Sequence, residues 1–287
     1  MIEDRPSRTA ERVAMRRAVH QLLDHPPVLD DPWALTILGA EQERAVREAP
    51  SRFEGHPVMA RFRAFLAARS RIAEDVLAEC VRDGVRQYVV LGAGLDTFAY
   101  RNPHEGLHVL EVDHPATQAW KRGRLNEVGI VLPPTLTLVP VDFAVDDLVE
   151  SLVAAGLDAA RPTFFSWLGV TPYLTPETTL ATLRSVASLA AGGGGIAFDY
   201  MVPESLLTPL QRRARASLSD AVATAGEPFQ GALDPAELTG SMRAMGYGEI
   251  RDLDADAING LLFADRSDGL GVGSTGRILV ARGGRSP

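Results

Sequence analysis

The sequence has 287 residues, and its 29 lysines and arginines stand against 37 aspartates and glutamates, giving a net charge of −8. Hydrophobic residues make up 46% and charged residues 23%, which is typical of a folded globular protein and excludes an extensively disordered one. The acidic balance, with only short clusters of arginine, disfavours DNA or RNA as a partner, because nucleic-acid affinity depends on grouped positive charge.

Cysteine content and hydropathy indicate whether this chain has disulfides, a cysteine-based metal site or a membrane-spanning segment. The single cysteine, Cys80, excludes an internal disulfide framework and a cysteine-based zinc site, and no metal site is predicted. Residues 1–11 are charged and polar, unlike a signal peptide, and no apolar run is long enough to span a bilayer. We therefore expect a cytoplasmic protein without a membrane partner, and the sequence gives no signal for its oligomeric state.

The first 82 residues have the apolar spacing of helices. Val13, Ala14, Ala18 and Leu22 form one helical stripe. A second helix is expected to start near Asp31, which can cap it, with proline in its first turn. A long third helix is predicted to end at Asp83 and Gly84. We interpret residues 1–82 as a helical N-terminal extension that could serve as a lid.

Short, continuous apolar runs then alternate with helical segments. The predicted strands are residues 88–91, 107–112, 136–141, 163–168 and 195–200, and the helices between them include 116–127, 146–155 and 178–190. Two more helices, 204–224 and 235–245, and two late strands, 248–253 and 276–282, follow, and one late strand is expected to be antiparallel. This order predicts one α/β domain over residues 1–287. Its doubly wound, mostly parallel seven-stranded sheet would occupy residues 83–287, with a helical insertion at about 203–245.

The strongest local signal is the turn that follows the first strand. Gly92 and Gly94 allow a tight turn and let a ligand approach the backbone. A dinucleotide fingerprint would have a third glycine or alanine at position 97, where this chain has Thr97. A cofactor with adenosine but no phosphates fits better, and S-adenosylmethionine is the common one. The alternative is that the glycines merely end a strand.

Acidic residues follow the next two strands. Asp113 comes 19 residues after Gly94, near the distance at which an acid binds ribose hydroxyls in such folds; the alternative is a helix cap before Pro115. Glu111 lies on the same strand face and is expected to be deeper. Asp142 could accept a hydrogen bond from an adenine amino group while Phe143 packs on the ring, or it could simply be a turn residue.

Several motifs together resemble the leucine carboxyl methyltransferase family, and in particular its bacterial S-adenosylmethionine-dependent branch. The resemblance runs from about residue 8 to residue 281. It is carried by Ala68-Arg69-Ser70-Arg71, Leu91-Gly92-Ala93-Gly94-Leu95-Asp96-Thr97, Glu111-Val112-Asp113-His114-Pro115, Val141-Asp142-Phe143 and Tyr173-Leu174-Thr175-Pro176-Glu177.

This resemblance implies a class I methyltransferase-like fold, S-adenosylmethionine as cofactor, and O-methylation of a small-molecule carboxylate or hydroxyl in bacterial secondary metabolism. The residues to which it assigns cofactor binding are Arg69, Gly92, Gly94, Asp113, Asp142 and Phe143. Arg69 would pair with the carboxylate of the methionine moiety or of the acceptor, with Arg71 as a second candidate, whereas the residues alone favour a solvated helix arginine. Tyr173 would be the catalytic residue that steers the acceptor oxygen.

The chain departs from the family pattern at one position. Many members have a glutamate five residues before the tyrosine, where this chain has Leu168, which puts the identity of the acceptor in doubt. Arg17 is the proposed counterpart of a basic N-terminal residue of the family.

Two other functional classes remain open from the sequence. One is an NAD(P)-dependent oxidoreductase on a similar sheet, and the other is a non-catalytic protein that binds the cofactor. A carboxylate acceptor is already ionised at neutral pH and needs no general base, whereas a hydroxyl would benefit from one. None of the six histidines forms a recognisable catalytic pair in the sequence, and each is expected to be structural or on the surface. They are His20, His25, His56, His104, His108 and His114.

Overall fold

The computed structural model describes residues 8–53, 57–143, 145–190, 193–223, 229–274 and 276–283. Helices precede the sheet: α1 (Arg8–Leu23), α2 (Ala40–Glu48) and the long α3 (Pro57–Arg82), with 3₁₀ turns at Thr36–Leu38 and Pro50–Phe53. Apolar residues at helical spacing explain α1 and α3, because these residues face one side of each helix and pack on the rest of the protein. The predicted helical N-terminal region is confirmed.

Seven strands form one sheet, in the order β3-β2-β1-β4-β5-β7-β6. The strands are β1 (Gln87–Leu91), β2 (His108–Asp113), β3 (Leu136–Pro140), β4 (Thr163–Trp167), β5 (Gly195–Met201), β6 (Tyr247–Leu253) and β7 (Gly276–Gly283). The first five are parallel, and β7 runs antiparallel to both β5 and β6. The predicted α/β fold with a mostly parallel seven-stranded sheet is confirmed, and β7 is the antiparallel late strand.

The remaining helices connect the strands. They are α4 (Phe98–Arg101), α5 (Pro115–Glu127), α6 (Leu148–Ala154), α7 (Pro176–Ala190), α8 (Pro209–Ala223), α9 (Pro235–Ala244) and α10 (Ala255–Leu262). The helices α8 and α9 fall within the predicted insertion at 203–245. The helix α10 was missed in the sequence, because it has only eight residues, and α4, which directly follows the glycine turn, has only four. The division of the chain into a lid and a cofactor-binding sheet stays a prediction.

The core has two main layers, one on each face of the sheet. Val90 of β1 packs in a cluster with residues of α3 and α10, such as Leu77 and Ile258. Its neighbour Val89 points to the other face and packs with residues of α7, such as Leu183. This alternation buries every strand from β1 to β5 on at least one face. Because these five strands are parallel, their carboxyl ends lie at one edge of the sheet.

The predicted helix start at Asp31 is wrong. Asp31 precedes a turn, and Trp33 donates its backbone N–H to the Asp31 carboxylate over 3.2 Å. Gly39 (φ 87°) then separates this turn from α2. The Asp31 side chain is fully buried against Arg17, so a tertiary ion pair fixes its position instead of a helix cap. Among the described helices, none is both long and apolar enough to cross a bilayer.

Candidate active site

The glycine turn after β1 lies between two other parts of the chain. Gly92 (φ 67°) and Gly94 (φ 47°) both have left-handed backbone conformations that favour glycine. A Cβ atom on Gly92 would collide with the side chain of Val170, and one on Gly94 would lie 2.9 Å from the Cβ of Ala10 in α1. The turn is therefore covered closely by α1 on one side and by the segment after β4 on the other.

Asp113, at the end of β2, holds this turn in place. Its Oδ2 accepts the backbone N–H of Gly94 at 2.6 Å, and its Oδ1 accepts that of His114 at 2.7 Å. Burial raises the pKa of the Asp113 carboxyl, and the two backbone hydrogen bonds oppose that rise. The cap of α5 is His114, which accepts the N–H of Ala116, so the helix-cap alternative for Asp113 does not describe its contacts. Each carboxylate oxygen keeps a further lone pair for a ligand.

Glu111 lies deeper on the same strand, as expected. It is fully buried, and Lys121 of α5 donates to its Oε2 at 2.5 Å and to the backbone carbonyl of Asp96 at 2.8 Å. Burial raises the pKa of Glu111 to about 7, although Lys121 opposes the rise. Lys121 thus connects Glu111 of β2 to Asp96, which follows the glycine turn, and so helps to fix the position of the turn.

Asp142 and Phe143 follow β3, the neighbour of β2. Asp113 pairs with Pro140 in the sheet register, and its backbone carbonyl accepts the N–H of Val141, so Asp142 lies just beyond the end of β2. The Asp142 carboxylate is 3.8 Å from the His114 ring and about one third exposed. Phe143 is partly buried against the apolar cluster that contains Val89 and Leu183. The structure thus brings Asp113, Asp142 and the glycine turn to one edge of the sheet.

Arg69 does not extend into solvent. It lies in α3 with 7% of its surface exposed, and its Nη1 donates to Oδ2 of Asp199 in β5 at 2.9 Å. The other oxygen of Asp199 accepts the backbone N–H of Gly169 at 2.5 Å. A buried arginine paired in this way has a fixed position, so the solvated-helix alternative for Arg69 is wrong.

A cavity of about 560 Å³ opens beside this ion pair. Arg69, Asp199 and Gly169 form part of its wall, and Tyr173 also lines it, in a 3₁₀ turn at Thr171–Tyr173 with its ring 5.4 Å from that of Phe229. The volume falls in the range of small-molecule sites. The cavity is bounded by α1, α3, α8 and α10 and by the segment that follows β4.

The predicted residues divide into two adjoining groups. Gly92, Gly94, Asp113, Asp142 and Phe143 lie around the strand ends, outside the described lining of the cavity, whereas Arg69 and Tyr173 line it. The two groups meet along the segment after β4, which contributes Gly169 to the cavity and packs on Gly92 one residue later.

Three further residues that the sequence analysis singled out lie outside the described lining of the cavity. Arg71 is half-exposed and pairs with Asp75 one turn further along α3 at 2.9 Å, away from the cavity. Leu168 is partly buried against the apolar cluster beneath α3, so it supplies packing at the position where the family resemblance implies a glutamate. Arg17 is buried and donates to Asp31 at 2.5 Å.

Thr97 explains why the N-terminal extension docks beside the glycine turn. Its hydroxyl accepts from Arg17 at 2.6 Å and donates to Asp31 at 2.7 Å. Arg101 of α4 lies 3.5 Å from Asp31 and forms a two-pronged ion pair with Glu74 of α3. Burial tends to raise the pKa of Asp31, but Arg17 and Arg101 outweigh it, so the pKa is lowered. The helix α4, which follows the glycine turn, has only four residues, so no long helix dipole is directed at the expected cofactor site.

The histidines in the described residues have structural or surface positions. The Nδ1–H of His20 donates to the Asp24 carboxylate over 2.6 Å, because the Nε2 of the same ring accepts the backbone N–H of Val28. This His20–Asp24 pair is buried and also contacts Arg63, so it fixes the loop after α1. His56 lies outside the described residues.

The most important residue missed in the sequence is Asp199. It stands inside the apolar run of β5, and an acid within a buried strand near its carboxyl end was a usable signal. The aromatic wall formed by Phe62, Phe65 and Phe229 was also missed, because these residues come from distant parts of the chain.

Comparisons with known proteins identify the family of this chain. The sequence profile of the leucine carboxyl methyltransferase family matches residues 10–187. A protein of Bacillus subtilis named as an S-adenosyl-L-methionine-dependent methyltransferase, YktD, is 36% identical over 211 residues, which cover 72% of this chain and 69% of that protein. A similarly named protein of Saccharopolyspora erythraea is 35% identical over 192 residues, covering 67% and 66%. The chain thus spans about two thirds of the length of these relatives.

A crystal structure from Thermobifida fusca, described as a methyltransferase, matches 98% of this chain and 96% of that one with a TM-score of 0.59 and 16% identity. At this identity the likeness concerns the fold. The matched relatives are methyltransferases, which favours this class over the oxidoreductase and the non-catalytic binding protein. The chain therefore belongs to the leucine carboxyl methyltransferase family and is an S-adenosylmethionine-dependent methyltransferase.

Proposed function

We propose that this enzyme methylates an oxygen atom of a small molecule, with a carboxylate as the favoured acceptor and a hydroxyl as the alternative. The observation that carries the proposal is the cavity of about 560 Å³, which adjoins the glycine turn and has both Arg69 and Tyr173 in its wall. The role in bacterial secondary metabolism implied by the resemblance, and a cytoplasmic location, stay predictions.

The residues around the strand ends fit the adenosine half of the cofactor. Gly92 and Gly94 leave the backbone open to a flat ligand, and Asp113 has carboxylate lone pairs for the two ribose hydroxyls. Asp142 would accept the adenine amino group, and Phe143 would pack on the ring. Arg69 would bind the carboxylate of the methionine moiety or of the acceptor, because only one of its N–H groups is needed for Asp199.

Bound S-adenosylmethionine supplies a methyl group on a positively charged sulfur, and the acceptor oxygen takes that methyl group. The protein has to hold this oxygen in line and exclude water. Tyr173 would orient the acceptor oxygen from the wall of the cavity, and its ring packs on Phe229. No histidine occurs among the described residues that line the cavity, and Asp199 is ion-paired. This lining favours a carboxylate, which has no proton to lose.

The helix α1 is the proposed lid. Its Ala10 lies against Gly94, and its Arg12 and Val13 line the cavity, so one helix covers both the turn and the acceptor space. Moving this part of α1 would open both sites together.

The test is a transfer assay with radiolabelled S-adenosylmethionine and a panel of apolar carboxylic acids, phenols, alcohols, amines and thiols. Methyl esters release methanol in mild alkali and methyl ethers do not, so this treatment distinguishes the two acceptor classes. Tyr173→Phe is expected to lower kcat by roughly 5- to 10-fold while leaving cofactor binding unchanged, since one hydrogen bond to the acceptor is lost.

The matched control is Tyr247→Phe. Tyr247 lies in β6, away from the cavity, and its buried hydroxyl has no hydrogen-bond partner among the described residues. It should keep its activity. Methyl transfer only to nitrogen or sulfur acceptors would contradict the proposed function, and loss of cofactor binding in Tyr173→Phe would place Tyr173 in the cofactor site.

A further inference from the structure

The strand β6 is the last strand of the sheet and has the antiparallel strand β7 on one side. Alternate residues of such a strand direct their backbone N–H and C=O groups away from the neighbouring strand. Among the described residues, no backbone group outside the sheet pairing hydrogen-bonds to residues 248–253. Gly248, Glu249 and Arg251 are exposed, so this edge of the sheet is accessible to a further strand.

Charges of opposite sign stand two residues apart on this edge strand. Glu249 and Arg251 lie on the same face, because successive side chains of a strand alternate between the two faces. The two side chains are 61% and 45% exposed, and Nε of Arg251 lies 3.8 Å from Oε1 of Glu249. Arg251 also lies 3.9 Å from Glu79 of α3. Ion pairs as long and as exposed as these contribute little, so both charges can bind a further partner.

A second copy of β6, placed antiparallel beside the first, matches this order of charges. When Ile250 lies opposite Ile250 of the second copy, Glu249 of each chain lies opposite Arg251 of the other. The half-buried side chain of Ile250 then meets its own copy on the other face of the sheet. Unlike charges directly opposite each other and apolar cross-strand pairs both stabilise a sheet, so both faces favour this register.

Charged residues on an edge strand can also protect it from pairing. Protection of this kind depends on bringing like charges together. In β6 the alternation of sign has the reverse effect for an antiparallel copy, because each strand presents its arginine to the glutamate of the other. A parallel copy in register would place like charges side by side and is disfavoured. The charge order thus selects the antiparallel arrangement, which is the one that closes a two-fold dimer.

We propose that two copies of this chain associate through β6 in an antiparallel, two-fold arrangement, which joins their sheets into one continuous sheet. Glu249 and Arg251 determine the specificity of this interface. The register shift between Tyr247 and Glu249 limits the regular part of β6 to residues 249–253. Because so short a strand buries little surface, we expect a dissociation constant in the micromolar range. The dimer is separate from the proposed function, since neither charged residue lines the cavity.

Sedimentation velocity of the full chain over a range of concentrations tests this dimer. Glu249→Arg and Arg251→Glu should each weaken association about tenfold, because two attractive pairs in the dimer become repulsive. An equimolar mixture of these two variants should regain the affinity of the wild type, since one chain then has arginine at both positions and the other has glutamate at both. The double variant, Glu249→Arg with Arg251→Glu, should regain it as well.

The matched control is Arg47→Glu, which makes the same change of charge on an exposed arginine of α2 that pairs with Glu43. It should associate like the wild type, and far-UV circular dichroism verifies that every variant is folded. A wild-type chain that stays monomeric at millimolar concentration would leave this edge to another protein and overturn the proposal. Single variants that associate like the wild type, or a mixture that stays as weak as its components, would also overturn it. None of these results depends on methyl transfer, so failure of the proposed function would be seen separately in the transfer assay.

Discussion

Replacing Asp199 by asparagine tests whether the buried Arg69–Asp199 pair fixes the wall of the active site. The aspartate makes two contacts through different oxygens, one with Arg69 at 2.9 Å and one with the N–H of Gly169 at 2.5 Å. Asparagine has one carbonyl oxygen and no charge, so it can keep only one of the two contacts.

The magnitude follows from burial. Asp199 is 3% exposed and Arg69 is 7% exposed, and removing one partner of a buried pair typically costs about 3–5 kcal/mol. Arg69 lines a cavity that water can enter, which reduces the cost of leaving it unpaired. We therefore expect Asp199→Asn to lower the free energy of unfolding by about 2–3 kcal/mol.

Urea unfolding followed by tryptophan fluorescence measures this change, and a cycle with Arg69→Met isolates the pair. The double variant should be more stable than the sum of the single effects predicts, by about 1–3 kcal/mol. Asp75→Asn is the control on α3, because its pair with Arg71 is half-exposed and should contribute at most about 0.5 kcal/mol. An Asp199→Asn loss no larger than that of Asp75→Asn, or strictly additive effects in the cycle, would refute the reasoning.

Three other predictions concern the glycine turn and the residues behind it. Asp113→Ala should weaken S-adenosylhomocysteine binding by about 1–3 kcal/mol in calorimetry, because the ribose hydroxyls would lose their proposed acceptor; unchanged affinity would remove Asp113 from the site. Gly94→Ala should weaken the same binding and displace α1, since its Cβ would meet Ala10, whereas Gly84→Ala, with a positive φ but open space around it, should affect only stability. Burial raises the pKa of Glu111 from 4.5 to about 7 in the folded state, so the folded protein holds this proton more tightly than the unfolded chain. The stability gained from the protonated Glu111 is therefore complete below pH 4.5 and is lost as the pH rises to about 7. Relative to Glu111→Gln, the wild-type protein should lose about 3 kcal/mol over this interval in urea unfolding, and parallel pH profiles would contradict the shift.

The sequence predicts the sheet well because its signals are local. Buried strands appear as continuous apolar runs, and the glycine turn and Asp113 follow such runs directly, so topology alone brings them to one edge. One of the two late strands was expected to be antiparallel, because strands close in sequence tend to pair, and β7 is that strand.

Contacts between distant residues account for what the sequence did not predict. Asp31 looks like a helix cap in the sequence, but its partners lie 14 and 66 residues away, at Arg17 and Thr97. Arg69 and Asp199 are 130 residues apart, so the sequence favoured a solvated arginine in an exposed helix. Local spacing does not carry such information, and the family resemblance supplied Arg69 but not its partner.

The ion network at Thr97 also affects how this enzyme can be recombined with its relatives. Arg17, Asp31 and Glu74 belong to the N-terminal extension and Thr97 and Arg101 to the segment after β1, yet their side chains form one connected cluster. A chimera that exchanges only the extension would leave buried charges of the host without partners. Segment exchange should therefore keep residues 8–101 together, which means that β1 is transferred with the extension.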